Sequence, residues 1–171
     1  MANRRPIQQA HERKNVDLFL DWFNRVYHSD FKVVSEPNPP EAVIRSSRST
    51  RWVEVSTAFL NEAFAKDLYS HATPSEAHKP IGPGPFQDMD NAFAEKFVSI
   101  VKKKLEKKSY VPWRDQHGPG YLVVPIKNPW LDKQTFGCMK ESWAASTIND
   151  LGCFRSIYIA FPSNNAINQV F

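Results

Sequence analysis

The chain has 171 residues with a formal net charge of +4, and 42% of its residues are hydrophobic. This content excludes an intrinsically disordered chain, and the length suits one domain with its own core. The sequence contains no run of eighteen apolar residues, so no membrane span is predicted. The N-terminus lacks the apolar segment of a signal peptide. The two isolated cysteines, Cys138 and Cys153, predict reduced thiols in a cytoplasmic protein.

The N-terminal part of the chain predicts a flexible start followed by a helix and a short strand. Residues 1–10 are polar, so we expect a flexible N-terminus before a single domain over 11–171. A helix is predicted over 11–28, and residues 31–34 predict a strand. The helical spacing is carried by Val16, Phe19, Leu20, Phe23, Val26 and Tyr27.

Residues 40–57 predict a β-hairpin, because two short apolar runs, 42–44 and 52–55, flank a turn rich in serine and arginine. Glu41 precedes the first strand, and Glu54 lies between two valines in the second. A carboxylate in an apolar run is costly to bury unless a positive charge lies beside it. That charge is either a basic side chain, such as Arg45 or Arg51, or a metal ion.

After the hairpin, strands alternate with helices. Helices are predicted over 58–69, 88–108 and 130–145, and strands over 121–126 and 154–161. Residues 70–86 are rich in proline and glycine and predict an irregular insertion, either a lid over a site or a plain insertion. Residues 110–120 predict a turn-rich connection, and a polar tail follows residue 162. This order predicts an α/β fold with a mixed sheet flanked by helices.

One lysine of the helix over 88–108 is predicted to face inward. On a helical wheel with Phe93 at the zero angle, Phe97 lies at about 40° and Lys104 at about 20°. Lys104 therefore projects from the apolar face, where it either snorkels to solvent or reaches a site that needs a positive charge.

The two glutamates of the hairpin suggest a metal site. Glu41 and Glu54 belong to neighbouring strands, and carboxylates that converge repel each other unless a cation lies between them. Mg²⁺ prefers oxygen ligands and leaves positions for water and phosphate. A nearby ammonium, such as that of Lys104, would stabilise the charge of a transition state. The alternatives are that Glu54 pairs with a turn arginine and that Glu41 is a solvated surface residue.

These residues resemble the motifs of the PD-(D/E)xK nuclease superfamily. Pro40-Glu41 is similar to the first motif, with Glu in place of Asp. Glu54-Val55-Ser56 is similar to the second, with Ser in place of Lys. The helix over 11–28 resembles the family's first helix, so Glu12 matches a glutamate that sometimes joins the metal site. Lys104 resembles the catalytic lysine of families in which that lysine has moved to the following helix.

The resemblance implies a restriction-endonuclease-like fold, with an αβββαβ core extended by a C-terminal helix and strand. It implies a nuclease that hydrolyses DNA phosphodiester bonds with Mg²⁺ or Mn²⁺. The implied catalytic residues are Glu41, Glu54 and Lys104, and the implied metal ligands are Glu41, Glu54, the Val55 carbonyl and Glu12. The basic residues that we expect to contact DNA phosphates are Arg45, Arg48, Arg51, Lys103 and Lys107.

Two further questions stay open at the level of the sequence. The alternative function is a catalytically inactive protein of the same fold that binds nucleic acid or another protein. For Glu12, the alternative to a metal ligand is a surface residue. A homodimer is an open possibility for the assembly.

No histidine pair has the spacing of zinc ligands.

Overall fold

A computed structural model of the chain describes residues 4–59, 65–67, 77, 88–127, 131–162 and 166–170. The described helices are α1 (Arg4–Tyr27), α2 (Met89–Leu105), a 3₁₀ helix (Lys108–Tyr110), α3 (Val111–His117) and α4 (Lys133–Ala145). The strands are β1 (Lys32–Ser35), β2 (Ala42–Arg45), β3 (Thr50–Val55), β4 (Ala58–Phe59), β5 (Gly120–Lys127), β6 (Phe154–Phe161) and β7 (Ala166–Gln169). Within the described ranges, no helix has the length and apolar character that crossing a membrane requires.

The strands form one mixed sheet in the order β1-β2-β3-β5-β6-β7, and β4 also pairs with β5. Strands β1, β2 and β3 are antiparallel, β5 and β6 run parallel to β3, and β7 is antiparallel to β6. Val53 pairs with Tyr121 and Ala58 pairs with Ile126, so β3 and β4 keep one register along β5. Strand β4 is thus the continuation of β3 after a two-residue break, and the predicted α/β class with a mixed sheet is confirmed.

Helices cover both faces of the sheet. Helix α1 packs on one face through Phe19 and Phe23, and helix α2 packs on the other through Phe93 and Phe97. Side chains of a strand alternate between the two faces. In β3, the alternation directs Val53 and Val55 toward α1, and directs Trp52 and Glu54 toward α2.

The central strand β5 is buried on both faces. Residues 120–126 are all buried, and Tyr121 and Val123 face α1 whereas Leu122 and Val124 face α2. A continuous apolar run is typical of a parallel strand that helices cover on both sides. The buried strand predicted over 121–126 is confirmed.

Several predicted boundaries were wrong. Helix α1 begins at Arg4 and includes the described part of the segment expected to be flexible. The segment predicted as a helix from residue 58 begins as strand β4, and residues 65–67 are helical. The connection over 110–120 contains helix α3, and the polar tail leads into strand β7. Apart from residue 77, the predicted insertion at 70–86 lies outside the described residues.

Local periodicity missed these elements for identifiable physical reasons. The second half of β5 and the outer edge of β6 carry backbone groups that need hydrogen-bond partners, and β4 and β7 supply those partners. Strand β4 pairs with a distant part of the chain, so local periodicity does not report it. Strand β7 pairs with the preceding strand β6, but Ile167 is its one buried residue, so its sequence has no apolar alternation to detect. In α1, residues 8–10 are exposed and mostly polar, so they have no apolar period to detect.

Candidate active site

Glu54 is a fully buried carboxyl group on β3, an inner strand of the sheet, close to the C-terminal end of that strand. Its side chain is 1% exposed, and it lies on the α2 face between Trp52 and the end of β3. Moving a carboxylate from water into such a place costs several kcal/mol, of the order of 5, unless charge and hydrogen bonds compensate. The surroundings of Glu54 therefore need a cation.

Lys104 supplies a positive charge at Glu54. It follows the buried residues Phe97 and Val101 on the inner face of α2, and its side chain is 24% exposed. Its Nζ atom donates a hydrogen bond of 2.5 Å to Glu54 Oε1 and lies 3.4 Å from the hydroxyl of Tyr110. The prediction that Lys104 projects from the apolar face is confirmed. Neither Arg45 nor Arg51 is an ion-pair partner of Glu54 within the described ranges.

Glu41 lies beside Glu54 because of the hairpin register. Ala42 pairs with Val53, and extending this antiparallel register by one residue places Glu41 opposite Glu54. Opposite residues of an antiparallel pair share one face of the sheet, with Cβ atoms about 5 Å apart. The Val55 amide donates a 3.2 Å hydrogen bond to Glu41 Oε2, which fixes the Glu41 carboxyl at this end of the hairpin.

The proximity of the two carboxyl groups changes their chemistry. Burial, followed by hydrogen bonding to Glu54 and repulsion from its charge, raises the pKa of Glu41 to about 9. The Val55 amide opposes this shift, and the charge of Glu12 adds a smaller increase. At neutral pH the pair therefore holds a proton, and a cation that enters would take the place of that proton.

One oxygen of this pair has no partner. Glu54 Oε1 accepts from Lys104, whereas the buried Glu54 Oε2 has no hydrogen-bond partner in the described part of the chain. An unsatisfied buried oxygen costs about 1–3 kcal/mol, and more when the group is charged. Such an oxygen needs either the proton that the pair holds at neutral pH or a cation in its place.

The carboxyl pair faces a polar cavity of about 350 Å³. The cavity lies among α1, the segment before β2, the end of β3 and the last turn of α2. Its described lining is Gln8, His11, Glu12, Asn38, Pro39, Glu41, Glu54, Val55, Ser56, Thr57, Phe59, Lys104 and Lys107. Glu12 thus faces the same cavity as the carboxyl pair, where its carboxylate accepts a 2.8 Å hydrogen bond from Gln8.

The residues present suit a hard divalent cation. Glu41 and Glu54 offer carboxylate oxygens, and Mg²⁺ is usually held by one or two carboxylates together with water. Among the described residues, however, no group of three or more His, Cys, Asp or Glu side chains could hold a metal ion. Glu12 lines the cavity without completing such a group. The donor set is therefore the pair alone, with Ser56 at the position of the motif lysine.

The predicted phosphate contacts do not gather at this cavity. Arg45 and Arg48 are exposed at the turn end of the hairpin, and Arg45 is about 13 Å along the strand from Glu41 at 3.3 Å per residue. Arg51 faces the other side of the sheet, and Lys103 is exposed on α2. Of the five predicted basic residues, Lys107 alone lines the cavity.

Tyr110 is a site residue that the sequence did not reveal. It is fully buried in the 3₁₀ helix and stacks on Trp52, with ring centroids 5.5 Å apart. Burial, with further contributions from the charge of Glu54 and a hydrogen bond to it, raises the pKa of the Tyr110 hydroxyl. The hydroxyl therefore stays protonated beside Glu54 and Lys104. No spacing rule could have linked Tyr110 to Lys104, because a turn separates their two helices.

Comparison of the chain with family models, with curated proteins and with solved structures finds no match.

Proposed function

We propose that this protein is a metal-dependent nuclease that hydrolyses DNA phosphodiester bonds with Mg²⁺ or Mn²⁺. The observation that carries the proposal is the state of Glu54. This carboxylate is fully buried and forms a pair with Glu41. One of its oxygens accepts from Lys104, and the other has no N–H or hydroxyl donor in the described part of the chain. A buried acid pair with an adjacent ammonium suits the binding of a cation and of a negatively charged substrate.

The order of the elements supports the same proposal. Helix α1, strands β1 to β3, helix α2 and strand β5 follow the αβββαβ order implied by the family resemblance. Pro40-Glu41 comes directly before β2, and Glu54-Val55-Ser56 covers the last two residues of β3 and the residue after them. The resemblance leads us to expect the two motifs at these places. Strand β4 and helix α3 are additions to that order, so the restriction-endonuclease-like assignment is part of the proposal.

Each residue of the site has a distinct role in this proposal. Glu41 and Glu54 would hold the ion. The family resemblance also implies the Val55 carbonyl and Glu12 as ligands, and Glu12 lines the same cavity without joining the pair in a three-residue group. When bound, the metal polarises the phosphoryl group and lowers the pKa of water. Lys104 has three N–H donors, so one can hold Glu54 while another donates to a phosphate oxygen. The Val55 amide orients Glu41.

The test is a DNA cleavage assay on the wild-type protein and on Glu54→Gln. Glutamine keeps the size of the side chain but removes the charge that would bind the ion. Because a catalytic metal contributes several kcal/mol, we expect cleavage to fall by at least about a hundredfold. Linear duplex, supercoiled and single-stranded DNA serve as substrates, with Mg²⁺ or Mn²⁺ and with a chelator as the blank.

The matched control is Glu95→Gln, which removes the same charge from an exposed position on α2. Circular dichroism and a thermal melt establish that both variants are folded. Equal cleavage by wild type and Glu54→Gln would contradict the proposal, and so would a wild-type protein that cleaves none of the substrates with either ion.

The second candidate is a non-enzymatic protein that binds nucleic acid or another protein. It is favoured by Ser56, which stands where the second nuclease motif would have lysine, and by Lys104, whose charge already neutralises Glu54. In this case DNA affinity falls steeply with salt but is unchanged by Mg²⁺ and by Glu54→Gln. A protein-binding role is favoured if no DNA affinity is measured at low salt.

A further inference from the structure

A second groove lies at the opposite end of the sheet from the carboxyl pair. Its volume is about 560 Å³, within the range of small-molecule sites. It is formed by the C-terminal part of α1 and by the beginnings of β3, β5 and β6, on the α1 face of the sheet. The side chains that matter here are Tyr27, Arg51, Tyr121, Arg155, Ser156 and Gln169.

A β-bulge brings Arg155 to this groove. Gly120 pairs with Phe154 and the next residue, Tyr121, pairs with Ser156, so Arg155 has no partner on β5. A bulge of this kind redirects a side chain and is common beside functional sites. Arg155 is exposed, and its guanidinium makes no hydrogen bond or ion pair with the described residues.

Arg51 is held at the same groove from the neighbouring side. Its Nη1 atom donates to the carbonyls of Thr50 and His117, at 3.0 and 3.1 Å. These bonds use both N–H donors of Nη1, and Arg51 also hydrogen-bonds the Tyr121 hydroxyl. A guanidinium has five N–H donors, so others stay available to a ligand. No described residue that lines the groove is acidic, so two positive charges lie there without a counter-charge.

The hydroxyl of Tyr121 lies near both guanidinium groups. Burial raises the pKa of Tyr121, while the positive charges of Arg155 and Arg51 act in the opposite direction. Further polar groups complete the groove: Tyr27 donates a 3.1 Å hydrogen bond to Gln169, and Gln169 lies 3.5 Å from the Ser156 hydroxyl. Guanidinium and hydroxyl donors are the groups that proteins use for oxyanions.

We propose that this groove binds the phosphate group of a small phosphorylated ligand. Two guanidinium groups with neighbouring hydroxyls match an anion of more than one charge that has several acceptor oxygens, which favours a phosphate monoester over a carboxylate. The half-exposed ring of Tyr27 stands at the rim, where it could contact a planar group attached to the phosphate. The proposal does not depend on the nuclease activity, because the groove shares no residue with the carboxylate cavity.

The test is a titration of the protein with inorganic phosphate, ribose 5-phosphate and adenosine monophosphate, monitored by calorimetry and by the NMR signals of the arginine Nε–H groups. We expect saturable binding that shifts the signals of Arg51 and Arg155. Loss of a charge-assisted hydrogen bond weakens binding by about tenfold or more, so Arg155→Gln should show this loss. The matched control is Arg114→Gln, an exposed arginine of α3 that does not line the groove, which should bind as the wild type does.

The three probes also identify the source of the phosphate. Tighter binding of adenosine monophosphate supports a nucleotide, and equal binding of all three supports recognition of the phosphate alone. The proposal is overturned if no probe binds, if Arg155→Gln binds as tightly as the wild type, or if Arg114→Gln loses as much affinity as Arg155→Gln. It is also overturned if binding requires Mg²⁺ and Glu54, because the phosphate would then occupy the other cavity.

Discussion

At the scale of single residues, the Glu54–Lys104 pair is better explained by the site than by the fold. Two apolar side chains of similar volume would fill the same space without removing charges from water, and such replacements are often neutral or stabilising. Among the described residues, Glu54 Oε2 also has no donor other than the proton shared with Glu41, which a purely structural arrangement would avoid. Both features add free energy to the folded state, so they favour a role in binding or chemistry.

The raised pKa of Glu41 predicts that metal-free protein loses stability as the pH rises. The pKa is about 9 in the folded protein and 4.5 ordinarily, so between these values the folded state binds a proton that the unfolded state lacks. Raising the pH therefore favours unfolding, with a slope of at most about 1.4 kcal/mol per pH unit. Below pH 4.5 both states are protonated and this contribution is fully present.

Glu41→Gln should remove this slope. The stability of the variant relative to the wild type should therefore increase from pH 5 to pH 8. Urea unfolding in the presence of a chelator measures this difference in the free energy of unfolding. Glu95→Gln is the control and should follow the wild-type pH dependence, because its side chain is exposed on α2. Parallel stability curves for wild type and Glu41→Gln would contradict the interpretation of the acid pair.

At the scale of elements, the start of β5 depends on a glycine. A Cβ atom at Gly120 would lie 2.3 Å from the ring of Trp52. That ring is fully buried, and its Nε1 donates a 2.9 Å hydrogen bond to the Gly118 carbonyl, so it cannot move aside freely. Gly120→Ala should therefore destabilise the protein by about 1–3 kcal/mol, measured by urea unfolding.

The control for this substitution is Gly137→Ala in helix α4. A Cβ atom at Gly137 meets no atom within 4 Å, and alanine is favoured over glycine in a helix interior. Gly137→Ala should stabilise the protein by about 0.5–1 kcal/mol. A loss of stability of the same size in both variants would mean that contact with Trp52 is not the cause.

The elements also show how far the sequence predicts the structure. The hairpin, the inward direction of Lys104 and the buried β5 follow from local periodicity, which reports the face that a side chain occupies. The convergence of Glu41 and Glu54 follows from the hairpin register alone.

Strands β4 and β7 and the contact of Tyr110 with Lys104 could not be predicted in this way. Strand β4 and the Tyr110–Lys104 contact join segments that only the sheet or the turn after α2 brings together. Strand β7 follows β6 directly, but it buries one side chain, Ile167, and so has no apolar alternation. The Arg155 bulge is of the same kind, because an extra residue in β6 shows only when the strand is aligned with β5.

At the scale of the whole molecule, the sheet separates two polar sites. The acid pair lies on the α2 face, at the end of β3, and the arginine groove lies on the α1 face at the beginning of the same strand. The apolar core of strands β3 and β5 lies between them. Substitutions at distant sites without shared partners usually have additive effects, so changes at one site should leave binding at the other unchanged.

A cation that binds the acid pair should stabilise the whole fold, because a ligand of the folded state alone lowers its free energy by RT ln(1 + [L]/Kd). At ten times Kd this is about 1.4 kcal/mol, or a rise in Tm of about 3–6 °C for a chain of this size. The ion must displace the proton shared by Glu41 and Glu54, so the rise should be larger at pH 8 than at pH 6. Differential scanning fluorimetry with Mg²⁺ or Mn²⁺, against NaCl of equal ionic strength, measures this rise in Tm.

The rise in Tm should disappear in Glu54→Gln and should be unchanged in Glu95→Gln. An equal rise in all three proteins would place the ion elsewhere.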